Sequence, residues 1–337
     1  MGRYVLRRLA VTPFLLLGIA TVAFVIARLI PADPLASIVG ERNLNNEAVV
    51  AAARERWGLE GGVVQQYGSY LRNLVTGDLG TSFRTKQSVA SDLWERLPAT
   101  AELALFALVI AAVGGIALGI ASARRQDKLT DHAARFVALV GSSLPVFWLG
   151  LIVLYVLYVR LGWFPGPGRL PPRVDAPSHT TGFYTIDALL DGEPGLAWRC
   201  LRQLMLPAFV LGWSLMGTVS RLVRGAMLDE LHADYVRTAR AKGLKEGQVM
   251  RHHVLRNALT PVITIMGLSL GVLLTQAVLT ETVFSWNGLG SYAVEATRRL
   301  DYPAINGVCI TGGVVFLAAS LVADVLYAAV DPKIRYA

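Results

Sequence analysis

YVRTARAKGL, Tyr235–Leu244, is a short basic segment between two long apolar runs of the chain. The acidic Asp234 precedes it and its cations lie toward its end, which is the order that the helix dipole favours. Gly243 then supplies the positive φ angle that commonly ends a helix. We therefore predict a helix, a glycine turn and a second helix over 245–257 in this part of the chain.

The predicted helix has two different faces. Arg237 and Arg240 share one face, because they lie three residues apart. Tyr235 and Ala239 share another, and a helix with one basic and one small apolar face fits a groove on another protein. The alternative is a solvated loop that is basic because it faces the cytoplasm. The surrounding loop, 221–258, is longer than a simple connection requires, which favours a docking helix.

The apolar runs on either side indicate a membrane protein. Of the 337 residues, 54% are hydrophobic and 17% are charged, whereas a soluble domain has about 25% charged residues. Because a span needs about 20 apolar residues, we predict an all-α integral membrane protein with six transmembrane helices. The predicted spans are Leu9–Ile30, Ala101–Ala123, Phe136–Val159, Leu204–Val223, Leu259–Val278 and Ile305–Val330.

The distribution of charge orients these spans. The N-terminus, the loops 124–135 and 221–258 and the C-terminus together hold 17 Lys and Arg residues and 7 acidic residues. By the positive-inside rule these segments are predicted to be cytoplasmic, so that both termini lie in the cytoplasm. The net charge of +8 is then explained by orientation, and no nucleic acid is expected as a partner.

The sequence carries no recognisable catalytic or metal-binding motif. No Lys is followed by Ser or Thr, which excludes the P-loop that holds ATP phosphates, and two cysteines cannot form a disulfide framework. His252 and His253 are adjacent, so they point in different directions from a helix and make a poor metal pair. We therefore expect no enzyme and no metal site on this chain.

A self-sufficient secondary transporter is the alternative from another functional class. It would need ionisable groups inside the membrane, and Asp324 and Glu102 are the candidates. For Asp324, a functional role and contact with headgroup water both stay open. Glu102 lies at the start of its span, and we expect its side chain to extend to the headgroup region.

Several stretches resemble the permeases of bacterial ABC importers in the oligopeptide, dipeptide and nickel group. DYVRTARAKGLKEGQVMRHHVLRNALTPVI (234–263) is similar to their EAA loop. The segment 2–34 resembles the start of the B-type subunit in that group. GDLGTSF (77–83) and ETVFSWNGLG (281–290) are similar to further stretches of it. The resemblance covers nearly the whole chain.

The resemblance implies an architecture and a docking site. It implies an ABC transporter type I transmembrane domain over 98–330, after an N-terminal transmembrane helix and extracytoplasmic loop over 1–97. The loop 221–258 would hold the coupling helix, which docks into a cytoplasmic ATPase subunit. The implied ATPase-coupling residues are Tyr235, Arg237, Thr238, Ala239, Arg240, Lys242, Gly243 and Leu244, of which Ala239 and Gly243 match the family pattern literally.

The resemblance also implies partners and a location. The partners would be a second homologous permease, two cytoplasmic ATPase subunits and an extracytoplasmic substrate-binding protein. ATP and Mg²⁺ would be bound by the ATPase subunits, and this chain would carry no cofactor. The chain would be a multi-pass protein of a prokaryotic cytoplasmic membrane. Dipeptides and oligopeptides are the expected substrates, while nickel, glutathione and haem stay open.

Small and polar residues mark candidate positions inside the membrane. Gly115 and Gly119, and likewise Gly267 and Gly271, have the small-x-x-x-small spacing that lets helices approach closely. The candidate pathway residues are Gln276, Ser269 and Thr275. The alternative for these polar groups is hydrogen bonding within or between helices.

The aromatic residues after the fifth predicted span suggest a further element. Phe284, Trp286 and Tyr292 are residue types that favour the membrane interface. We expect this segment either to anchor at the interface or to lie across the mouth of the translocation pathway.

Overall fold

The computed structural model describes residues 2–29, 39, 45–56 and 62–330. For a few segments within these ranges, including 323–330, the backbone alone is described, so the side chain of Asp324 lies outside the description. In the described part of the chain the fold is helical, and the β-structure found there is one isolated bridge between Thr81 and Ser88. The predicted all-α class is confirmed.

The helices are numbered here in chain order. They are α1 (Gly2–Leu29), α2 (Glu47–Arg56), α3 (Val63–Val75), α4 (Val89–Arg124), α5 (Leu129–Ser143), α6 (Val146–Val153, continued as a π-helix over Leu154–Arg160), α7 (Tyr184–Leu190), α8 (Pro194–Leu231), α9 (Asp234–Ala241), α10 (Glu246–Gln248, followed by a π-helical turn over Val249–Val254), α11 (Leu255–Ala258), α12 (Thr260–Phe284), α13 (Leu289–Arg298) and α14 (Tyr302–Val330).

The apolar runs of the sequence all lie in helices, but they do not give six uninterrupted spans. Among the described residues, α4, α8 and the Tyr302–Val322 part of α14 are long and apolar enough to cross a membrane. Two bent pairs raise that number to five if each pair is one span, and α1 contributes the shorter apolar stretch Ala10–Ile26. The membrane-spanning character is therefore clear, while the count of six stays a prediction.

The third predicted span, Phe136–Val159, is wrong as a continuous helix. Helices α5 and α6 meet at an angle of 113°. Leu144 between them is extended, with φ −90° and ψ 140°, because the ring of Pro145 disfavours a helical conformation at the residue before it. The bend lets the two halves pack at different levels of the same helix, α8.

The described residues divide into two compact units. One comprises Thr100–Trp286 with the end of α14 from Ala318, and the other comprises Gly2–Ala99 with Asn287–Leu317. The first break falls between Ala99 and Thr100, and the boundary at 97/98 stays a prediction. The N-terminal unit also includes α13 and most of α14, which a division by sequence position alone does not anticipate.

The first unit is held together by close helix packing and buried polar contacts. A Cβ atom on Gly115 would lie 2.7 Å from the Cβ of Val219, and one on Gly119 would lie 2.6 Å from the Cβ of Val223. Side chains at either glycine would therefore push α4 away from α8. The structure thus places this predicted glycine pair at the α4–α8 contact.

Glu102 contradicts the expectation that it reaches the headgroup region. Its side chain is 1% exposed and accepts hydrogen bonds from the guanidinium of Arg169 (Nη2 to Oε2, 2.7 Å) and from the backbone N–H (3.0 Å) and hydroxyl (2.7 Å) of Thr185. The guanidinium also lies 3.6 Å from the ring centroid of Tyr184. The charge is buried because the loop that holds Arg169 and the start of α7 supply its partners.

The aromatic residues expected at the membrane interface are buried instead. In the first unit Phe284 and Trp286 are each 2% exposed. In the N-terminal unit Tyr292 is buried and donates a hydrogen bond from its hydroxyl to Asp92 (2.8 Å). The same carboxylate accepts the hydroxyl of Thr85 (2.7 Å). The three rings pack inside the protein, so the prediction that this segment anchors at the membrane interface is wrong.

Candidate functional site

Helix α9 forms where the sequence predicts it. Ala233 before it is extended, Asp234 occupies its first turn and Arg240 its last, so the charges complement the helix dipole. The hydroxyl of Thr238 donates to the carbonyl oxygen of Asp234 (3.0 Å), so this hydroxyl is hydrogen-bonded within its own helix. The helix is short, and its position depends on packing against the rest of the chain.

Two apolar side chains hold α9 on the membrane helices. Val236 is 0% exposed and Ala239 is 6% exposed. Both belong to a cluster, here called the cytoplasmic-end cluster after the predicted topology, that joins α9 to the ends of α4, α8 and the segment that leads into α12. Its buried members are Ala123, Val219, Val223, Met227, Val236, Ala239, Val249, Val254, Ala258 and Val262. The cluster therefore joins α9 to three long helices.

The structure separates the two residues that were expected to form a small apolar face. Ala239 is buried against its own chain, so its side chain does not face outward. Tyr235 is partly exposed, and its hydroxyl donates to the carboxylate of Glu230 and accepts the amide N–H of Asn257 (3.0 Å). Burial and the hydrogen bond to Glu230 hold the pKa of Tyr235 above its ordinary value, and the hydrogen bond from Asn257 acts in the opposite direction. The phenol thereby fixes α9 to the end of α8 and to α11.

Gly243 adopts the predicted left-handed turn. Its φ angle is +80°, its N–H donates to the carbonyl of Arg240 (2.9 Å), and the N–H of Leu244 donates to the carbonyl of Ala239 (3.4 Å). These two bonds are the Schellman pattern, which satisfies the last carbonyls of a helix. A Cβ atom at Gly243 would meet nothing within 4 Å, so the conformation alone requires glycine here.

The outward surface of the loop is basic and continuous along the chain. The exposed residues include Arg237, Thr238, Lys242, Gly243 and Leu244. Arg237 lies 3.5 Å from Asp234 in an ion pair whose two side chains are both largely exposed, so the pair is weak. The loop thus presents cations, a tight turn and an exposed Leu244 from a helix whose opposite side is buried.

Arg240 has a partner within the loop that the sequence did not reveal. Its guanidinium donates to both oxygens of Glu246 (Nε to Oε2, 3.1 Å; Nη2 to Oε1, 2.8 Å) across the glycine turn. The hydrogen bonds from Arg240 lower the pKa of the Glu246 carboxyl. The resemblance implies that Arg240 contacts a partner, which stays a prediction; in the structure its guanidinium connects the two sides of the turn.

The candidate pathway residues lie on α12. The hydroxyl of Ser269 donates to the carbonyl of Ile265 (2.7 Å), and that of Thr275 donates to the carbonyl of Gly271 (3.2 Å). The hydroxyls of both residues are thus hydrogen-bonded within their own helix, as expected if they do not line the pathway. Gln276 is half-buried on the same helix, as is Gly267, whereas Gly271 is buried.

Sequence reasoning missed a buried carboxylate close to the loop. Asp131, at the start of α5, is fully buried and accepts two hydrogen bonds from the guanidinium of Arg224 on α8. The sequence shows it only as one acid in the polar stretch 124–135. The sequence does show that Asp131 lies in the first turn of an amphipathic helix. That position does not identify Arg224 as its partner. Within the described residues there is no group of three or more His, Cys, Asp or Glu residues that could hold a metal ion.

Comparison with known proteins places the whole chain. Residues 115–336 match the family described as binding-protein-dependent transport system inner membrane component, and residues 1–104 match its N-terminal family. A dipeptide transport system permease protein, DppB, of Alkalihalophilus pseudofirmus is 41% identical over 336 residues, which cover 100% of both chains. A probable D,D-dipeptide transport system permease protein, DdpB, of Escherichia coli is 43% identical over 94% of this chain and 93% of its own.

A third relative and a solved structure agree with these matches. The oligopeptide transport system permease protein AppB of Bacillus subtilis is 38% identical, with 100% of each chain covered. A crystal structure of an amino acid ABC transporter covers 71% of this chain and 94% of its own with a TM-score of 0.51 and 15% identity, which shows a shared fold. The chain thus belongs to the family of binding-protein-dependent transport system inner membrane components, the permeases of ABC transporters.

Proposed function

We propose that this chain is the permease subunit of an ATP-driven importer of peptides, and that α9 with its glycine turn is the site where a cytoplasmic ATPase docks. One observation carries the proposal. The helix is held on the ends of α4, α8 and the segment leading into α12 by Val236 and Ala239, while its cations and the Gly243 turn remain exposed. Such an element can receive a force from outside and pass it to several membrane helices.

The mechanism follows from that attachment. Closure of two ATPase subunits on ATP would move α9, and the cytoplasmic-end cluster would carry the movement into α4, α8 and α12. Access to the pathway between this chain and a second, homologous permease would then switch from one side to the other. The required differential contact is docking of α9 in two states of the ATPase.

The further assignments belong to the same proposal. ATP and Mg²⁺ bind to the ATPase subunits, because this sequence lacks a P-loop. An extracytoplasmic binding protein delivers the substrate, and the membrane is the cytoplasmic membrane of a prokaryote with both termini inside. Relatives that are named as dipeptide and oligopeptide permeases favour peptides over nickel, glutathione or haem.

The exposed cations Arg237 and Lys242 give a direct test. The tagged chain is purified from its own host in mild detergent, and the proteins that remain bound are identified. We expect a homologous permease and an ATPase near equal stoichiometry. The double variant R237E/K242E should lose the ATPase and keep the permease, because it reverses charge on the exposed side of the loop alone.

The matched control reverses two cations elsewhere. Arg160 and Arg199 are also exposed but lie outside the cytoplasmic segments in the predicted topology. R160E/R199E should retain the ATPase. Purification of the wild-type chain alone, without ATP-dependent uptake of a labelled dipeptide by the parent vesicles, would refute the proposed function and favour the secondary transporter.

A further inference from the structure

The buried carboxylate of Asp131 gathers donors from three separate parts of the chain. Arg224 on α8 donates Nε to Oδ1 (3.0 Å) and Nη2 to Oδ2 (2.9 Å). The backbone N–H of Asp127 donates to Oδ2 (3.0 Å), and the hydroxyl of Ser122 on α4 donates to Oδ1. Both oxygens are therefore satisfied, and the arginine contact is the bidentate, charge-assisted kind that fixes orientation as well as distance.

Arg224 lies next to the residues that hold the docking helix. Its neighbours on α8, Val223 and Met227, are buried in the cytoplasmic-end cluster against α9. The last turns of α8 thus make apolar contacts with α9 through Val223 and Met227, and Arg224, the residue after Val223, makes an ionic contact with α5. Helix α5 itself contributes no buried residue to that cluster, so Asp131 connects it to the part of α8 that holds α9.

Helix α5 packs against the part of α8 from Trp213 to Arg224, whereas α6 packs against α8 around Val210 and against α12. Gly217 of α8 lies against the backbone of Ala138, and the indole N–H of Trp213 donates to the carbonyl of Val137 (3.1 Å). Beyond the 113° bend, α6 packs in a second cluster with Val210 and Phe284. Along α8, the contacts of α5 thus lie closer to the residues that hold α9 than the contacts of α6 do.

We propose that Asp131 and Arg224 form a positioning pair that carries the displacement of the docked helix α9 into α5, and so into the first half of the bent α5–α6 segment. The inference rests on the proposed function of α9. Apolar contacts between helices can slide, but a bidentate arginine–carboxylate pair holds one relative orientation. A buried ion pair contributes little net stability compared with an apolar pair of similar size, so fixed orientation is the property it adds here.

The test compares uptake with ATP hydrolysis in the same preparation. The whole transport complex is reconstituted in proteoliposomes with its binding protein, and dipeptide uptake and phosphate release are measured together. In D131N and R224Q we expect assembled complexes that still hydrolyse ATP, with uptake per ATP lowered about tenfold. The charge-exchanged variant D131R/R224D should recover part of that ratio.

Arg135 provides the matched control on the same carboxylate. Its Nε lies 3.3 Å from Asp131 Oδ1, but its side chain is 44% exposed and lies on α5 itself, so it connects no second helix. R135Q should keep uptake per ATP at the wild-type value. A loss in R135Q equal to that in R224Q would show that the local charge matters and the connection between helices does not.

The remaining outcomes separate this inference from the proposed function. Unchanged uptake per ATP in D131N and R224Q would overturn the positioning role, as would a loss of uptake that only follows the loss of assembled complex. If D131N does not assemble, R224K decides by the same ratio, because Lys keeps the charge and cannot form the bidentate contact. If neither assembles, the pair acts in folding alone and the inference is wrong. Absence of ATP-dependent uptake in the wild-type complex would instead refute the proposed function.

Discussion

Gly243 holds the turn after α9 at a φ angle of +80°, and its replacement strains the backbone without creating a clash. An L-residue in this region costs about 1–2 kcal/mol, which lowers the population of the turn by about 5-fold to 30-fold. G243N should cost less than G243A, because Asn tolerates the left-handed region. G243P should cost most, since Pro fixes φ near −65° and removes the N–H that bonds to Arg240.

Uptake of labelled dipeptide by the reconstituted complex, and retention of the ATPase on the tagged chain, measure the effect. We expect uptake and ATPase retention to decrease from the wild type through G243N and G243A to G243P. Membrane insertion and thermal stability should change little, because Val236 and Ala239 keep α9 in place. Gly247 is the matched control, since it is exposed in the same loop, has open space at Cβ and no positive φ. Equal activity of G243P, G243A and G247A would refute the argument that docking requires this turn.

Three other substitutions probe separate contacts. G115L should lower the thermal midpoint of the detergent-solubilised chain, because overpacking at the α4–α8 contact costs about 1–3 kcal/mol; G312L, where a Cβ meets nothing within 4 Å, should not. E102Q leaves Arg169 as a buried cation without its charged partner, at a cost of about 3–5 kcal/mol. The variant should therefore show a smaller monodisperse fraction in size-exclusion chromatography. An elution profile equal to that of the wild type would contradict the role of the buried ion pair. The pKa of Glu246 is lowered from 4.5, so its ion pair stabilises the turn above that pH and the stabilisation is lost as pH falls through the lowered pKa. Because the pair is exposed, the effect is about 0.5 kcal/mol or less. E246Q should therefore lower the amide protection of the turn at pH 7 by about 2-fold at most, to the level that the wild type reaches below the lowered pKa, and remove the change in protection that the wild type shows as pH falls.

The sequence predicts the features that depend on local order. The charge gradient of α9, the glycine at its end and the apolar runs are each set within a few residues, and the structure has them. The sequence Leu144–Pro145 also indicates the bend between α5 and α6, because proline disfavours a helical conformation at the residue before it. A search for apolar runs considers hydrophobicity alone and therefore does not detect it.

What could not be predicted depends on partners far along the chain. Ala239 and Glu102 look like exposed residues when their neighbours in sequence are considered. Ala239 is buried by residues of α4, α8 and the segment before α12, and Glu102 by Arg169, 67 residues away. An aromatic such as Tyr292 suits a lipid interface and a protein interior equally well, so its type does not choose between them.

The contact between Asp131 and Arg224 has a consequence for biosynthesis. The two residues are 93 positions apart, so at ordinary ribosomal rates the arginine is made about 5–20 seconds after the carboxylate. During that interval α5 has an acid in its first turn without the partner from α8. Arg135, one turn further along the same helix, and Ser122, on the preceding helix, are already synthesised and can neutralise and hydrogen-bond the group. Helix α5 can therefore settle in its final place only after α8 has left the ribosome, and a translational pause before α8 would prolong exposure of an unfinished pair to quality-control proteases.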